Sequence, residues 1–171
     1  MSKIKTRRIK SGAKTYALDL PPGMLSRGFW LYVWRVKVDR KSLLYVGRTG
    51  DNSSPFAVSP YQRLGQHLSK LKSQNALKRH LAKLGHEPEN CSSFEFICHG
   101  PIYPEITTGC MDDHVPVRNA IGALEKGLAQ ALRKAGYTVM NEVRWTHSHD
   151  KAALKKVVNA FRYHFPKIMK P

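Results

Sequence analysis

At 171 residues the chain has the length of one domain with a single core, and 42% apolar residues are enough to fill it. Its 29 Lys+Arg against 12 Asp+Glu give a formal charge of +17, which disfavours cationic partners and points to a polyanion, nucleic acid before any other. No run approaches the ~20 apolar residues that span a bilayer, and MSKIKTRRIK lacks the apolar centre of a signal peptide, so a cytoplasmic protein is expected.

Residues 1–20 read as a basic N-terminal arm, with Arg7 and Arg8 placed to meet phosphates. The main domain is expected over 21–145. In GFWLYVWRVKV, Trp30, Tyr32, Trp34, Val36 and Val38 alternate on one face, a strand signal. DRKS turns the chain and residues 43–47 return as a second strand. Pairing Val38 with Leu43 around that turn would set Tyr45 opposite Val36, on the face of Tyr32. Gly47 removes a side chain at the strand end, where the substrate backbone, or residues holding it, could come close.

Residues 50–60 are rich in turn formers and read as a loop. Beyond it, Leu64, Leu68 and Leu71 define an amphipathic helix whose neighbouring stripe carries Arg63, His67 and Lys70. A second helix over about 74–84 has Leu77, Leu81 and Leu84, and Gly85 ends it. SSFEFICH suits a third strand, and 100–116 reads as a long irregular connection. From Pro116 onward, Val117, Ile121, Leu124, Leu128 and Leu132 mark the strongest helix. Glu125 falls about 20° from the azimuth of Leu132, at the half-buried margin of the apolar stripe. YTVMNEV is a short extended segment. A last helix, within 146–171, packs Leu154, Val157, Val158 and Phe161 and shows Lys151, Lys155 and Lys156 outward. The fold class is therefore α+β, with a small, mainly antiparallel three-stranded sheet flanked by helices.

Cys91, Cys98 and Cys110 are odd in number and form no CxxC pair, so reduced thiols are expected. Cys98, Cys110 and His114 match no familiar zinc spacing.

In chain order the sequence offers WLY at 30–32, YVG at 45–47, Arg63 and His67 in YQRLGQHL, then Glu125 and Asn141. That order resembles the GIY-YIG nuclease family over roughly residues 28–143. The departures are Trp30 and Leu31 for the Gly and Ile of the first motif, Val46 for Ile, and a longer 50–60 loop. The resemblance implies a phosphodiester hydrolase with Tyr32 as general base, Tyr45 beside it at the phosphate, Glu125 as the metal ligand, and Asn141 as the asparagine that follows it.

The residue types suit that chemistry independently of the family. Phosphodiester hydrolysis needs an activated water, positive charge on the developing phosphorane, and help for the leaving oxygen. A single carboxylate, Glu125, can hold one Mg²⁺ or Mn²⁺ ion that keeps most of its waters. Arg63 can grip a nonbridging oxygen, and His67, four residues on, can orient Tyr45 or the water or shuttle a proton. A tyrosine serves as base only if its pKa falls from ~10, which Arg63 and the metal ion would favour. Taken singly, each residue has a structural explanation: core tyrosines, a solvated helix face, a salt-bridged glutamate.

Two functions follow. The first is a metal-dependent endonuclease, of restriction type in its compactness, acting on DNA with Arg7, Arg8, Arg48, Lys70, Lys151, Lys155 and Lys156 on the backbone. Duplex DNA is favoured, RNA stays open, and a homodimer would cut both strands. The second is a non-catalytic nucleic-acid-binding protein with a nuclease-like fold.

Overall fold

The structure, a computed structural model, describes residues 15–51, 54–71 and 75–168. Arg7 and Arg8 lie outside the described residues. Four strands and four α-helices follow in the order β1 (Phe29–Val38), β2 (Lys41–Arg48), α1 (Pro60–His67), α2 (Ala76–Lys83), β3 (Ser93–Tyr103), α3 (Met111–Lys134), β4 (Thr138–Val139) and α4 (Lys151–Phe161). The class is α+β. The sheet has four strands in the order β3-β1-β2-β4, with β4 parallel to β2, so the three-stranded antiparallel sheet read from the sequence is corrected to a mixed one.

The β1–β2 hairpin pairs Val38 with Lys41, Val36 with Leu43, and Trp34 with Tyr45. This register overturns the Val38–Leu43 pairing by two residues, because Asp39 adopts φ 52° and a two-residue turn suffices where four were expected. A shift of two preserves the alternation, so Tyr32 and Tyr45 still share a face.

On one face Leu31, Val33, Leu44 and Val46 pack with Ile121, Leu124, Leu128 and Leu132 of α3 and Val157, Val158 and Phe161 of α4. The opposite face carries Tyr32, Trp34, Val36 and Val38 against Leu77 and Leu81 of α2, with Tyr45, Leu64 and Leu68 packed around them. α1 starts in a capping box, in which the Ser59 hydroxyl accepts from Gln62 N and the Gln62 side chain accepts from Ser59 N. It ends at His67, so Leu71 lies beyond it and is exposed.

α3 begins at Met111, five residues before the expected start, and β3 runs on to Tyr103, so the 100–116 connection shrinks to a short link. Pro116 lies inside α3 near its N-terminus, where it removes only the bond that its N–H would have given to Asp112. No helix among the described residues is long and apolar enough to cross a membrane.

Candidate active site

Tyr32, Tyr45 and Gly47 stand on the α1–α2 face of the hairpin. Together with Arg48, Asp51, Arg63, His67, Ala76, Arg79 and Glu125 they line one cleft of about 230 Å³. β1 and β2 supply its floor, α1 and α2 one wall, and α3 the glutamate. Five of the six proposed catalytic residues thus meet at one place.

The Tyr32 hydroxyl lies 2.8 Å from His67 Nε2. Gly47 is paired with Tyr32 across the hairpin, and a Cβ on Gly47 would sit 2.5 Å from the Tyr32 ring and its hydroxyl. What approaches Gly47 is therefore the tyrosine itself. His67 is enclosed by Tyr32, Trp34 and Tyr45, with ring centroids at 5.3, 6.3 and 5.1 Å. Burial, then the Arg63 charge, pushes its pKa down to about 3, so it is neutral near pH 7.

The tyrosines depart from the expectation of a lowered pKa. Burial raises both well above the ordinary value, and the nearby Arg63 and Arg48 charges only partly offset it. In the substrate-free cleft both are phenols. The expectation weighed the cations and omitted the burial.

Glu125 is buried rather than half-buried, at 8% exposure. Helical angle alone places it at the stripe margin; α3 meeting the end of β2 closes over it. Its Oε2 accepts from Arg48 Nη1 at 3.3 Å. Burial still lifts its pKa to about 7 against the pull of Arg48 and Arg63. Arg63 Nη2 donates to Asp51 at 2.9 Å, while Arg79, exposed on α2, pairs with no carboxylate among the described residues.

Three donor-bearing atoms of these side chains, Arg48 Nε, Arg63 Nε and His67 Nδ1, are buried without a hydrogen-bond partner among the described residues. A guanidinium presents its donors in one plane, a fork that suits an oxyanion. Two incompletely satisfied forks lining one cleft have the donor chemistry to accept an oxyanion.

Among the described residues no group of three or more His, Cys, Asp and Glu side chains converges as a metal site. The donor set nevertheless fits a hard divalent ion. Glu125 is a buried oxygen donor whose pKa burial raises against the pull of Arg48 and Arg63, and Mg²⁺ or Mn²⁺ takes one or two carboxylates plus water and phosphate oxygens. Glu125 would hold such an ion.

Asn141 does not line the cleft. Its Oδ1 accepts from Val46 N at 2.9 Å and its Nδ2 donates to Val46 O at 2.7 Å. β4 ends at Val139, and Met140 N still bonds Leu44 O; the Asn141 amide carries the ladder one step further along β2. It pins the strand between Tyr45 and Gly47 and so acts on position, not on substrate.

Of the residues assigned to the nucleic-acid backbone, Arg48 lines the cleft. Lys70, Lys151, Lys155 and Lys156 are exposed outside it. His114, considered for zinc, instead bonds the Asp51 carbonyl through Nε2 at 3.0 Å, and Cys110 is exposed before α3.

Sequence reasoning missed Asp51, Arg79, Thr49 and Trp145. Arg79 resembled any exposed helical cation. Thr49 is fully buried; its Oγ1 donates to Gly28 O at 2.6 Å and accepts from Trp30 N at 2.8 Å, tying off the hairpin next to the cleft. A polar residue after YVGR at a strand end was the available signal. Trp145 places its ring 4.6 Å from the Arg48 guanidinium, a contact spanning most of the domain with no local signature. Comparison of the chain with family models, curated proteins and solved structures returns no match.

Proposed function

We propose that the chain is a metal-dependent endonuclease that hydrolyses phosphodiester bonds in DNA, in the manner of the GIY-YIG nucleases it resembles. The observation that carries the reading is the convergence of a buried carboxylate, a hydrogen-bonded Tyr32–His67 pair and two under-satisfied guanidiniums in one cleft on a chain of charge +17.

In this reading the phosphodiester enters with its nonbridging oxygens towards Arg63 and Arg79. Arg63 is held by Asp51 through one nitrogen, which leaves the rest of its fork for the phosphate. Tyr45 lies beside the phosphate and donates its phenolic proton as a hydrogen bond, a role its raised pKa suits. Tyr32 faces the attacking water. Neutral His67 with its proton on Nδ1 accepts from the Tyr32 hydroxyl at Nε2, so the Tyr32 oxygen can take a proton from water as its own moves to His67.

In the substrate-free cleft that transfer is strongly uphill, because Tyr32 is held protonated and His67 neutral. A divalent ion, when bound, supplies the positive charge that stabilises the phosphorane and lowers the pKa of the acids around it. Glu125, buried on α3, would hold the ion.

Supercoiled plasmid incubated with the protein tests the reading. Nicked and linear products should appear with Mg²⁺ and vanish with EDTA. Retardation of DNA without cleavage in Mg²⁺ or Mn²⁺ would instead support a non-catalytic nucleic-acid-binding protein, to which a cleft of protonated tyrosines and paired charges is also suited.

A further inference from the structure

Arg48 is an arginine with less bonding than its burial calls for. Its side chain is 12% exposed, its one side-chain hydrogen bond among the described residues is the 3.3 Å contact to Glu125, and its Nε is buried without a partner among them. What holds it is a surface: the guanidinium lies 4.6 Å from the Trp145 ring.

Trp145 is itself fixed. Its Nε1 donates to Asn119 O at 3.0 Å, its carbonyl accepts from Lys126 Nζ at 2.6 Å, and its ring lies on Gly122, where a Cβ would come within 2.5 Å. Stacking on an indole uses the face of the guanidinium and leaves its donors in the plane of the fork. The cation can therefore exchange acceptors by turning on the indole, without leaving it.

We infer that Arg48 is an exchangeable counter-ion of the cleft: without substrate it neutralises Glu125, and when a phosphodiester enters it turns on Trp145 to the phosphate, releasing Glu125 to a divalent cation. This rests on the nuclease reading above and adds to it an order of assembly. Arg48 and the divalent ion compete for one carboxylate, so the ion is excluded from the empty cleft and admitted with the phosphodiester. Exclusion follows from charge, since Arg48, Arg63 and Arg79 already outnumber Glu125 and Asp51 around the site. The phosphodiester reverses that balance. Metal and DNA then bind with positive coupling, and by linkage each raises the affinity for the other equally.

Calorimetric titration of Ca²⁺ into the full chain, with and without a short DNA duplex, tests this on the wild type, Arg48→Met and Arg48→Lys. Circular dichroism checks that each variant is folded. Wild type alone should bind Ca²⁺ weakly and the duplex should tighten it by about tenfold or more, whereas Arg48→Met alone should bind about tenfold tighter than wild type and gain less than about threefold from the duplex. Arg48→Lys keeps the charge and loses the stacked fork, so it should exclude Ca²⁺ without DNA yet show reduced coupling. Equal Ca²⁺ affinity in DNA-free wild type and Arg48→Met, or equal coupling in both, overturns the exchange and leaves the nuclease reading standing. Absence of Ca²⁺ binding in every protein, duplex included, overturns both.

Discussion

On one face of the sheet Leu31, Val33, Leu44 and Val46 meet α3 and α4 in an apolar core; on the other, their immediate neighbours Tyr32, Trp34 and Tyr45 meet α1 and α2 around His67 and the cleft. The same ten-residue and eight-residue strands serve both, because alternate residues point to opposite sides. The first face carries stability in aliphatic contacts that tolerate no water. The second gives up part of its packing to hydroxyl, imidazole and guanidinium groups, several with buried atoms that lack partners. Stability and proposed chemistry are therefore separable by substitution, one residue apart on one strand.

The separation can be broken in several places. Tyr32→Phe should lower single-turnover cleavage by about 10³-fold, within the range of general-base effects, while far-ultraviolet dichroism stays unchanged. Wild-type cleavage by this variant would remove Tyr32 from the chemistry. Leu128→Ala, on the opposite face and fully buried, should cost about 3 kcal/mol in urea unfolding yet leave the cleavage rate per folded molecule near wild type. A large loss of rate in protein shown to be folded would mean the faces are coupled.

Two buried titrating groups of the cleft, Glu125 and His67, give stability a pH signature. The Glu125 pKa is raised to about 7 from 4.5, so its contribution is fully present below about 4.5 and is lost as pH rises through about 7. His67 is the reverse: lowered to about 3 from 6.5, it contributes above about 6.5 and loses that contribution as pH falls through about 3. In EDTA, Glu125→Gln should therefore gain about 3 kcal/mol relative to wild type between pH 4.5 and 7, at about 1.4 kcal/mol per pKa unit. A flat difference curve would mean Glu125 is not desolvated.

Gly47→Ala should cost about 1–3 kcal/mol and slow cleavage more than it weakens DNA binding, since its Cβ would displace the Tyr32 ring. Smallest is Arg79→Ala, which should reduce the slope of log K against log salt by about 0.9, one phosphate contact on duplex DNA. An unchanged slope would take Arg79 off the backbone.

Much of this was legible in the sequence where periodicity decides. Alternation from Trp30 to Val38 located β1 and its tyrosine face, and the leucines of α3 located its buried stripe. Features set by a turn's conformation, or by residues distant in sequence, were not legible. The hairpin register turned on one residue, Asp39, taking a positive φ without an Asn-Gly or Asp-Gly signal. Pro116 looked like a helix start and is an internal residue. Glu125 and both tyrosines were read from helical angle and nearby charge, whereas packing of α3 against the end of β2 buries the glutamate and raises its pKa, and burial likewise raises those of Tyr32 and Tyr45. Arg48 and Trp145 lie on different elements far apart in the chain, so only the fold joins them.

The central claim is that the cleft cleaves through one carboxylate that is dispensable for holding DNA. Single-turnover cleavage and duplex binding measured side by side on Glu125→Gln test it most directly. The account predicts duplex binding in EDTA equal to or tighter than wild type, because a negative charge near phosphate is removed, with cleavage in Mg²⁺ lost by about 10³-fold or more. Wild-type cleavage by Glu125→Gln would contradict it.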